Sequence, residues 1–474
     1  MAVRPQEAAT DNRPGSPTCP GWLLRLDDPS PRRVLFAGVP DPAAASWFAH
    51  RGARVDVVDP DLPVPEPADL LVLDAAATRG GGVLQEPAWL AGIRAVVLAG
   101  PPGAAWTRAL AASGLATIRP AGGEHRKRLG RRTTGGVHVA VRQGSAATSL
   151  PTWLDRVVAS AVPGAHGTSW DLRVPSAYPS QKAVARVGTS SADEPALVVK
   201  VTRHPRFNLR LENESLALAA LHRRGGEVAT RVPVERGTAQ VAGMAASVQE
   251  AIAGQPFLDR SALVASCPVA ADAVRAITDL GAATHHAPQE PSPFEALRDV
   301  LDAFLDQQRP DRATAAFLID QVAQLLVEPP PTVLFHGDLG TWNLLVDQDD
   351  RVRILDWESA ELHGPPLWDL FYFLRSFAVR AGRRRGLDRG HAIGRHLLGS
   401  SPIAHQAAGW VDAYCWRLGI ERHLAEPLFH TCWMHRAVKE QRRLGDGRSG
   451  HYGPLCLRMV EQRDAPGLRR LVGR

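Results

Sequence analysis

Three polar residues stand close together within the stretch Val333–Glu358: Asp338, Asn343 and Asp356. An aspartate can orient a substrate hydroxyl and accept its proton, and an asparagine with a second aspartate offers the hard oxygen ligands that Mg²⁺ prefers. A metal ion that neutralises phosphate charge beside a carboxylate base is what phosphoryl transfer requires. The residue types therefore predict transfer of a phosphoryl group to a hydroxyl, if the chain brings them together.

The local hydrophobic pattern predicts how these residues are positioned. Three short apolar runs are predicted as strands: Val333–Phe335, Leu344–Val346 and Val352–Leu355. The polar turn Asp347–Asp350 separates the last two runs, so they are expected to form a β-hairpin. Because a hairpin returns the chain on itself, it brings Asn343 at its start near Asp356 at its end. Asp338 lies in the loop that leaves the first strand.

This stretch resembles the catalytic loop and metal-binding segment of the aminoglycoside phosphotransferase/choline kinase-like family, whose members are relatives of protein kinases. His336-Gly337-Asp338 with Asn343 matches the family's catalytic loop, and Ile354–Glu358 matches its metal-binding segment. The Asp-x-x-x-x-Asn spacing also matches the general kinase pattern. The resemblance implies ATP and Mg²⁺ as cofactors, with Asp338 as catalytic base and Asn343 and Asp356 as metal ligands.

A small lobe is predicted upstream, over Asp171–Leu221. Its predicted strands include Ala183–Val187 and Ala196–Val201, and the second of these contains Lys200. A lysine inside an apolar strand is unusual unless it projects into a cleft. In the resembled family, the lysine on this strand contacts the phosphates of the nucleotide and pairs with a glutamate on a helix.

Two glutamates could be the partner of that lysine, Glu212 and Glu214. Glu214 shares one helical face with Leu218 and Leu221, and it matches the Glu-x-x-x-Leu-x-x-Leu pattern of the family. Glu212 lies about 200° away from it, at roughly 100° per residue. We therefore expect Glu214 to be the nucleotide-site residue.

Other nucleotide contacts are expected at two places. The loop that covers the nucleotide should be Ser176–Lys182, which has no glycine and so departs from the kinase Gly-rich loop. The segment Val248–Phe257 resembles the family's hinge, and this places adenine near Glu250 and Ile252. Further along, the segment Pro366–Leu370 resembles one whose aspartate braces the catalytic loop. Structural roles are therefore expected for Asp369 and His336.

The region before the small lobe predicts a different fold. Its predicted strands are Val34–Ala37, Arg54–Val58, Leu70–Leu73 and Ala95–Leu98, and they alternate with helical stretches such as Ala43–His50. This order favours a parallel α/β sheet. The opening resembles the first βαβ unit of class I methyltransferases, with Gly38 and Asp59 in matching positions. Val39–Pro42 replaces the expected glycines, so we interpret this part as a Rossmann-like domain that does not bind the cofactor.

The predicted fold class is thus an α/β Rossmann-like domain followed by an α+β bilobal kinase-like domain. The predicted boundaries are a disordered tail over residues 1–30, the Rossmann-like domain over 31–145, and the kinase-like domain over 150–474, with a small lobe at about 165–254 and a large helical lobe at about 255–474. The basic, Gly-rich segment Arg119–Gly144 is predicted as a linker. Because every kinase-like motif follows Asp171, nucleotide binding is expected to survive removal of residues 1–145.

Composition narrows the class of protein. Hydrophobic residues make up 45% and charged residues 22% of the 474 residues, as is ordinary for a soluble globular protein. The five cysteines include no Cys-x-x-Cys pair, which argues against a disulfide framework or a zinc site. No apolar run reaches membrane-spanning length, and the first thirty residues lack a signal-peptide core. These features predict a cytoplasmic protein without membrane insertion.

Positive charge is concentrated near the C-terminus. Residues 375–474 contain nineteen Arg or Lys and eight Asp or Glu, whereas the whole chain has a net charge of +6. Such a region could bind nucleic acid, an anionic membrane or an anionic substrate, or be a solvated surface. Binding of nucleic acid by the basic linker is disfavoured, because no aromatic residues are interleaved there to stack on bases.

The acceptor is predicted from the helices after Phe371. They carry seven arginines and one nearby acid, Asp388; the arginines are Arg375, Arg380, Arg383, Arg384, Arg385, Arg389 and Arg395. This charge favours a neutral or anionic small-molecule hydroxyl acceptor, such as a sugar or glycoside, over a polycationic aminoglycoside. Two alternatives stay open: a catalytically silent kinase fold that acts as a binding or regulatory protein, and an S-adenosylmethionine-dependent methyltransferase activity of the N-terminal domain.

Overall fold

A computed structural model describes residues 23–26, 30–37, 42–58, 67–74, 90, 93–99, 104–118, 137–142, 150–165, 167–174, 182–189, 196–287, 292–444 and 450–474. The chain folds into two compact units. The first unit consists of Met1–Glu212 and Glu235–Ala251, and the second of Asn213–Val234 and Ile252–Arg474.

A six-stranded sheet forms the N-terminal part of the first unit. Its strands are β1 (Arg33–Ala37), β2 (Arg54–Val58), β3 (Ala68–Asp74), β4 (Ile93–Ala99), β5 (Leu115–Ile118) and β6 (Val137–Arg142), in the order β2-β1-β3-β4-β6-β5. Strands β1 to β4 pair in parallel, while β6 lies antiparallel between β4 and β5. The strands that the sequence predicted are all present, and the sheet is mixed.

Alternate side chains of β1 enter two different cores, because successive residues of a strand point to opposite faces of the sheet. Val34 and Phe36 pack on the face covered by α1 (Pro42–His50), together with Trp47. Leu35 packs on the other face, which is covered by α2 (Ala104–Ala112). A run of consecutive apolar residues in this strand is explained by this coverage of both faces.

Two sequence-based predictions need correction here. Strand β6 lies within Arg119–Gly144, which was predicted as a linker; the alternation of valines from Val137 is a strand signal that the surrounding Gly and Arg residues obscured. Leu23–Arg25 forms a 3₁₀ turn inside the predicted disordered tail, and Leu23 and Leu24 are fully buried, so burial of apolar surface orders this part. Residues 38–41 and Asp59, the candidate cofactor positions, lie outside the described residues.

An antiparallel five-stranded sheet forms the rest of the first unit. Its strands are β7 (Gly167–Arg173), β8 (Ala183–Thr189), β9 (Leu197–Val201), β10 (Glu235–Val241) and β11 (Met244–Glu250), in the order β10-β11-β9-β8-β7. Helix α3 (Thr152–Ala161) packs against β10 and β11. The two predicted small-lobe strands are confirmed as β8 and β9.

The two sheets of the first unit share one hydrophobic core. This cluster contains Phe36 from the N-terminal sheet, Trp153 and Leu154 from α3, and Val199 from the five-stranded sheet. Polar contacts reinforce the apolar ones, since Trp153 Nε1 donates to the carbonyl of Leu24 at 3.2 Å. The N-terminal sheet is therefore a packed layer of the unit that contains β9.

The second unit is mainly helical. Helix α4 (Asn208–Arg224) enters it from the first unit, and the helices that follow are α5 (Gly226–Thr230), α6 (Phe257–Arg260), α7 (Pro268–Thr284), α8 (Ala296–Gln308), α9 (Arg312–Val327), α10 (Trp368–Arg384), α11 (Arg389–Ile393), α12 (Pro402–Leu418), α13 (Ala425–Leu444), α14 (Tyr452–Glu461) and α15 (Pro466–Val472). A π-helical turn, Gly394–Leu398, separates α11 from α12.

Two small sheets lie between these helices. One contains β12 (Gln255–Pro256), β14 (Leu344–Val346) and β15 (Val352–Ile354), and the other contains β13 (Val333–Phe335) and β16 (Glu361–Gly364). Both sheets belong to one continuous core with the helices. Within the described parts of the chain, no helix combines the length and hydropathy needed to cross a membrane.

Candidate active site

The predicted hairpin brings Asn343 and Asp356 to the same end of the β14–β15 pair. Leu344 pairs with Ile354, and the main-chain N–H of Leu355 donates to the carbonyl of Asn343 at 2.9 Å. Asp356 has φ 71° and ψ 64°, the left-handed region that L residues rarely adopt. Such a conformation persists only where the surrounding contacts impose it, and it is common at functional sites.

Asp338 lies in the loop after β13 and has a side chain that is 40% exposed. Three donors approach its carboxylate at the long limit of hydrogen bonding: Asn343 Nδ2 at 3.4 Å, Trp342 Nε1 at 3.5 Å and Arg436 Nη1 at 3.5 Å. A second contact of Asn343 is shorter, because its Nδ2 also donates to the carbonyl of Asp338 at 2.8 Å. The carboxylate is oriented but still accessible to a further partner.

His336 links the loop to the hairpin. Its Nδ1 accepts from the main-chain N–H of Asp338 at 3.1 Å, and its Nε2 lies 2.8 Å from the carbonyl of Leu355. Because Nδ1 accepts, the proton must be on Nε2, which then donates to the carbonyl. The buried ring therefore acts as a neutral spacer with one donor and one acceptor, which fits the expected structural role of His336.

Asp369, in the first turn of α10, braces the same loop. Its Oδ2 accepts from the N–H of His336 at 2.6 Å, and its Oδ1 accepts from the N–H of Gly337 at 3.1 Å. Burial raises the pKa of Asp369, while these two N–H groups and the nearby charge of Arg436 act in the opposite direction. The bracing contact predicted for Asp369 is present in the structure.

The position between His336 and Asp338 requires glycine for two reasons, its backbone conformation and the lack of room for a side chain. Gly337 has φ +78°, and a Cβ at this position would lie 2.1 Å from the carbonyl oxygen of Ser359. Only glycine allows the loop to approach the segment after Asp356 this closely. The tight turn thus fixes where the Asp338 carboxylate leaves the loop.

Residues 180–436, more than half of the chain, match the model of the phosphotransferase enzyme family (APH). The chain belongs to this family. The match covers Lys200, Glu214 and the whole segment from Asp338 to Asp369.

Solved structures that resemble this phosphotransferase are distant in sequence. They include the aminoglycoside phosphotransferase APH(3″)-Id from Streptomyces rimosus in complex with ADP and streptomycin (20% identity, TM-score 0.36), with 56% of this chain and 92% of that chain covered. A choline/ethanolamine kinase family protein from Mesorhizobium loti has 17% identity and a TM-score of 0.39 over 64% and 91% of the two chains. An ethanolamine kinase from Plasmodium vivax has 10% identity and a TM-score of 0.41 over 63% and 83%. No curated protein matches the chain in sequence.

The predicted nucleotide residues of this phosphotransferase are distributed between the two units. In the first unit, Lys200 lies on β9, is 7% exposed, and is paired across the sheet with Val184 and Ser247. In the second unit, Glu214 is fully buried on α4 and its Oε1 accepts from the N–H of Trp357 at 3.1 Å, next to Asp356. The pairing of Lys200 with Glu214 stays a prediction.

Glu214, Leu218 and Leu221 are all fully buried, whereas Glu212 is exposed. The role of Glu214 in nucleotide binding stays a prediction. At the predicted hinge, Glu250 ends β11 in the first unit and forms an ion pair with Arg236. Ile252 is half-buried in the second unit. Of the predicted nucleotide-covering loop, residues 176–181 lie outside the described residues.

The donor set at the hairpin end fits a magnesium ion. The Nδ2 of Asn343 is committed to Asp338, which directs the amide oxygen of Asn343 away from that contact, toward use as a ligand. An amide oxygen with the carboxylate of Asp356 is a hard-oxygen pair of the kind that Mg²⁺ accepts, with water and phosphate completing the shell. Across the described ranges, no three His, Cys, Asp or Glu side chains converge into an all-protein metal site.

Sequence reasoning missed part of the site. Arg436 of α13 is 8% exposed; its guanidinium lies 3.6 Å from the ring centroid of Tyr372 and reaches Asp338. Trp342, four residues after Asp338, is 46% exposed and meets Tyr372 edge-on at 5.8 Å. A periodic pattern cannot reveal the arginine, since it comes from a helix almost one hundred residues further along the chain.

The arginines that suggested an anionic acceptor divide by burial. Arg375 is 6% exposed and bonds through Nη2 to Nε2 of His451 at 2.7 Å. Burial and the charges of Arg375 and Arg389 lower the pKa of His451 to about 4, so the ring is neutral and accepts this bond at physiological pH. Arg380 is half-buried; the exposed members of the set are Arg383, Arg384, Arg385, Arg389 and Arg395. Most of this positive charge is therefore on the surface.

Proposed function

We propose that this chain is an ATP-dependent phosphotransferase that transfers the γ-phosphoryl group to a hydroxyl of a small molecule. The observation that supports it most is the joining of Asp338, Asn343 and the Asp356 segment by direct contacts, through Asn343 Nδ2 and the Leu355 N–H. These are the base and the two metal ligands that the chemistry needs. Among similar structures, the Streptomyces rimosus enzyme is in complex with ADP and streptomycin.

In the proposed reaction the acceptor hydroxyl oxygen bonds to the γ-phosphorus as the bond from that phosphorus to the β–γ bridging oxygen breaks. Asp338 orients the hydroxyl and takes its proton, and ADP leaves. Because the carboxylate is held by three long contacts, a hydroxyl at normal hydrogen-bond distance would become its strongest partner. Positioning supplies much of the acceleration.

The nucleotide would be held by Lys200, Glu214, Glu250 and Ile252. Lys200 would contact the phosphates, with Glu214 as its partner, and Glu250 and Ile252 would lie beside adenine. Asn343 and Asp356 would hold Mg²⁺, which would neutralise charge on the phosphates. His336 and Asp369 support the loop and take no direct part in the reaction, because their polar groups are committed to main-chain partners.

We propose residues 150–474 as the kinase-like domain and residues 31–145 as a Rossmann-like domain that binds no S-adenosylmethionine. The parallel order of β1 to β4, with helices on both faces, supports the second assignment. The acceptor is proposed to be neutral or anionic, since a polycation needs several unpaired carboxylates around the base.

Screening hydroxyl-bearing metabolites for an ATP-dependent gain of one phosphoryl mass tests the proposed function. Wild-type protein and Asp338→Asn are compared, with and without Mg²⁺. We expect mass gain only with wild-type protein and Mg²⁺. ATP turnover that is equal in wild type and Asp338→Asn, with every acceptor, would show that the proposed chemistry is wrong.

A further inference from the structure

Trp342 and Arg436 approach the two oxygens of the Asp338 carboxylate from different elements. Trp342 Nε1 lies 3.5 Å from Oδ2, and Arg436 Nη1 lies 3.5 Å from Oδ1. Both side chains also contact Tyr372, with the guanidinium of Arg436 over its ring at 3.6 Å and the indole of Trp342 edge-on at 5.8 Å. One tyrosine thus sets the positions of both partners of the base.

The two residues differ in exposure, and this gives them different uses. Trp342 is 46% exposed, although Tyr372 next to it is 3% exposed. A half-exposed indole beside a base offers a flat apolar surface of the kind that ligand sites use for ring-shaped molecules. The carbon–hydrogen face of a carbohydrate ring has the matching shape and polarity. Its hydroxyls at the ring edge would then be directed toward Asp338.

Arg436 is 8% exposed and compensates the acid groups around it. It forms an ion pair with Asp338, and its charge also acts on the buried carboxyl of Asp369. Asp369 is already committed to two main-chain N–H groups. An ammonium group entering beside Asp338 would therefore find this carboxylate paired with Arg436 and the carboxylate of Asp369 bonded to two main-chain donors.

An acid on α13 is also bonded to main-chain N–H groups. Glu440 lies one turn after Arg436, and its Oε2 accepts from the main-chain N–H groups of His451 and Tyr452. The hydroxyl of Tyr452 in turn lies 2.8 Å from that of Tyr372, which carries Arg436 on its face. This network keeps α13, and with it the guanidinium, fixed relative to the base.

We propose that Trp342 and Arg436 define the acceptor side of the site and select a neutral, ring-bearing hydroxyl compound of the carbohydrate class. Trp342 takes the apolar face of the ring. Arg436 holds Asp338 in place and cancels the negative charge that would otherwise draw in a cationic acceptor. This inference rests on the proposed phosphotransferase function and adds the chemical class of its acceptor and the residues that read it.

N-acetylglucosamine and glucosamine are matched probes, because acetylation removes the positive charge and leaves the ring and its hydroxyls. ADP formation above the acceptor-free rate gives kcat and KM for each sugar. We expect wild-type protein to favour the neutral sugar by about fivefold or more in kcat/KM, the effect of one close charge–charge contact. Arg436→Met should remove most of this preference and lower kcat, whereas Arg436→Lys should retain the preference.

Trp342→Ala should raise KM for N-acetylglucosamine about tenfold, while Trp342→Phe, which keeps an aromatic face, should raise it much less. Trp416→Phe is the matched control, since Trp416 is 84% exposed on α12 and is expected to leave both constants unchanged. A preference that is the same in wild type and Arg436→Met would overturn the inference and leave the phosphotransferase function standing.

A second measurement needs no acceptor. Both proteins compared carry Trp416→Phe, and one of them also carries Trp342→Phe. The difference between their fluorescence intensities is the emission of Trp342, and its quenching by iodide and by caesium is measured. We expect Arg436→Met to raise caesium quenching relative to iodide by about twofold or more, because the carboxylates lose their compensation. If no sugar is phosphorylated by any variant, the proposed function is in doubt, and an unchanged quenching ratio then also overturns the role of Arg436.

Discussion

Arg231 and Asp272 form a buried, two-pronged ion pair, with Nη1 to Oδ2 at 2.7 Å and Nη2 to Oδ1 at 3.1 Å. Both members of the pair also form hydrogen bonds with β15. The N–H of Val352 donates to Asp272 at 2.6 Å, and Arg231 Nη1 donates to the carbonyl of Val352 at 3.1 Å. The hairpin strand that leads to Asp356 is therefore anchored to α7 by charged hydrogen bonds. This anchor is distinct from the loop contacts made by His336 and Asp369.

We expect Asp272→Ala to lower the free energy of unfolding by about 3 kcal/mol, because it leaves a buried guanidinium without its main partner. Glu227→Gln is the control; Glu227 also pairs with Arg231 but is 47% exposed, and its loss should cost less than about 1 kcal/mol. Urea unfolding measures both. Equal effects of the two substitutions would contradict the importance of the buried partner.

The same pair predicts a pH dependence. Burial raises the pKa of Asp272, but hydrogen bonds from Arg231 and Val352 outweigh it and hold this pKa below the ordinary value of 3.8. The stabilisation from Asp272 is thus fully present above pH 3.8 and is lost as the pH falls through the lower folded-state pKa. Urea unfolding of wild type and Asp272→Ala should therefore differ most near neutral pH and converge in strong acid. A difference that persists unchanged in acid would show that the carboxylate charge is not its source.

Asp338→Asn is expected to abolish phosphoryl transfer and leave ATP affinity nearly unchanged, because Asp338 faces the acceptor in the proposed mechanism. Asp356→Ala should weaken binding of Mg·ATP as well as turnover. Calorimetric titration with ATP and Mg²⁺, beside steady-state kinetics, separates the two effects. Near wild-type turnover by Asp338→Asn would mean that another group is the base.

Gly337→Ala is expected to disrupt the loop that carries Asp338, because the added Cβ would lie 2.1 Å from the carbonyl oxygen of Ser359. Gly386→Ala provides a matched control, since Gly386 has the same φ of +78° but no heavy atom within 4 Å of its Cβ position. Backbone strain of roughly 1 kcal/mol is common to both variants. Turnover should fall at least about a hundredfold in Gly337→Ala alone, as expected when a catalytic group is misplaced by about 1 Å. Similar kinetics for both variants would show that the steric clash with Ser359 does not matter.

Removal of residues 1–145 should destabilise the remainder of the first unit, contrary to what motif positions suggested. The deletion removes the N-terminal sheet from the hydrophobic core that it shares with α3, so Trp153 and Leu154, which are 6% and 0% exposed, would lose part of their cover. We expect the product to aggregate and to lose nucleotide affinity. In the full chain, Trp47→Ala should have a milder effect and lower the free energy of unfolding by about 3–5 kcal/mol. Size-exclusion chromatography and thermal unfolding test this, and a monomeric, cooperatively unfolding 146–474 chain would contradict it.

What the sequence revealed about the site depended on distance along the chain. Asp338, Asn343 and Asp356 lie in one short stretch, so strand pattern and turn chemistry were enough to predict that a hairpin joins them. The burial of Glu214, in contrast to Glu212, follows from helical periodicity, which is local. Arg436 could not be found in this way, since its contact with Asp338 depends on how α13 packs against α10.

In the fold, too, local features could be predicted from the sequence and distant contacts could not. The predicted strands of the N-terminal sheet are present because each is a compact apolar run, but β6 was missed since Gly and Arg residues surround it. The burial of Leu23 and Leu24 also escaped prediction, because nothing local marks a short segment whose partners, such as Trp153, lie far along the chain. Pairings of this kind are set by tertiary packing, which a propensity pattern does not contain.

The position of β6 has a consequence for synthesis of the protein on the ribosome. Strands β4 and β5 have β6 between them, so β4 keeps an unpaired edge until Arg142 has been made. At roughly 5–20 residues per second, the interval from Ala99 to Arg142 lasts on the order of a few seconds. During that time the nascent chain presents the open side of a parallel apolar strand, which is where a holding chaperone would be expected to bind.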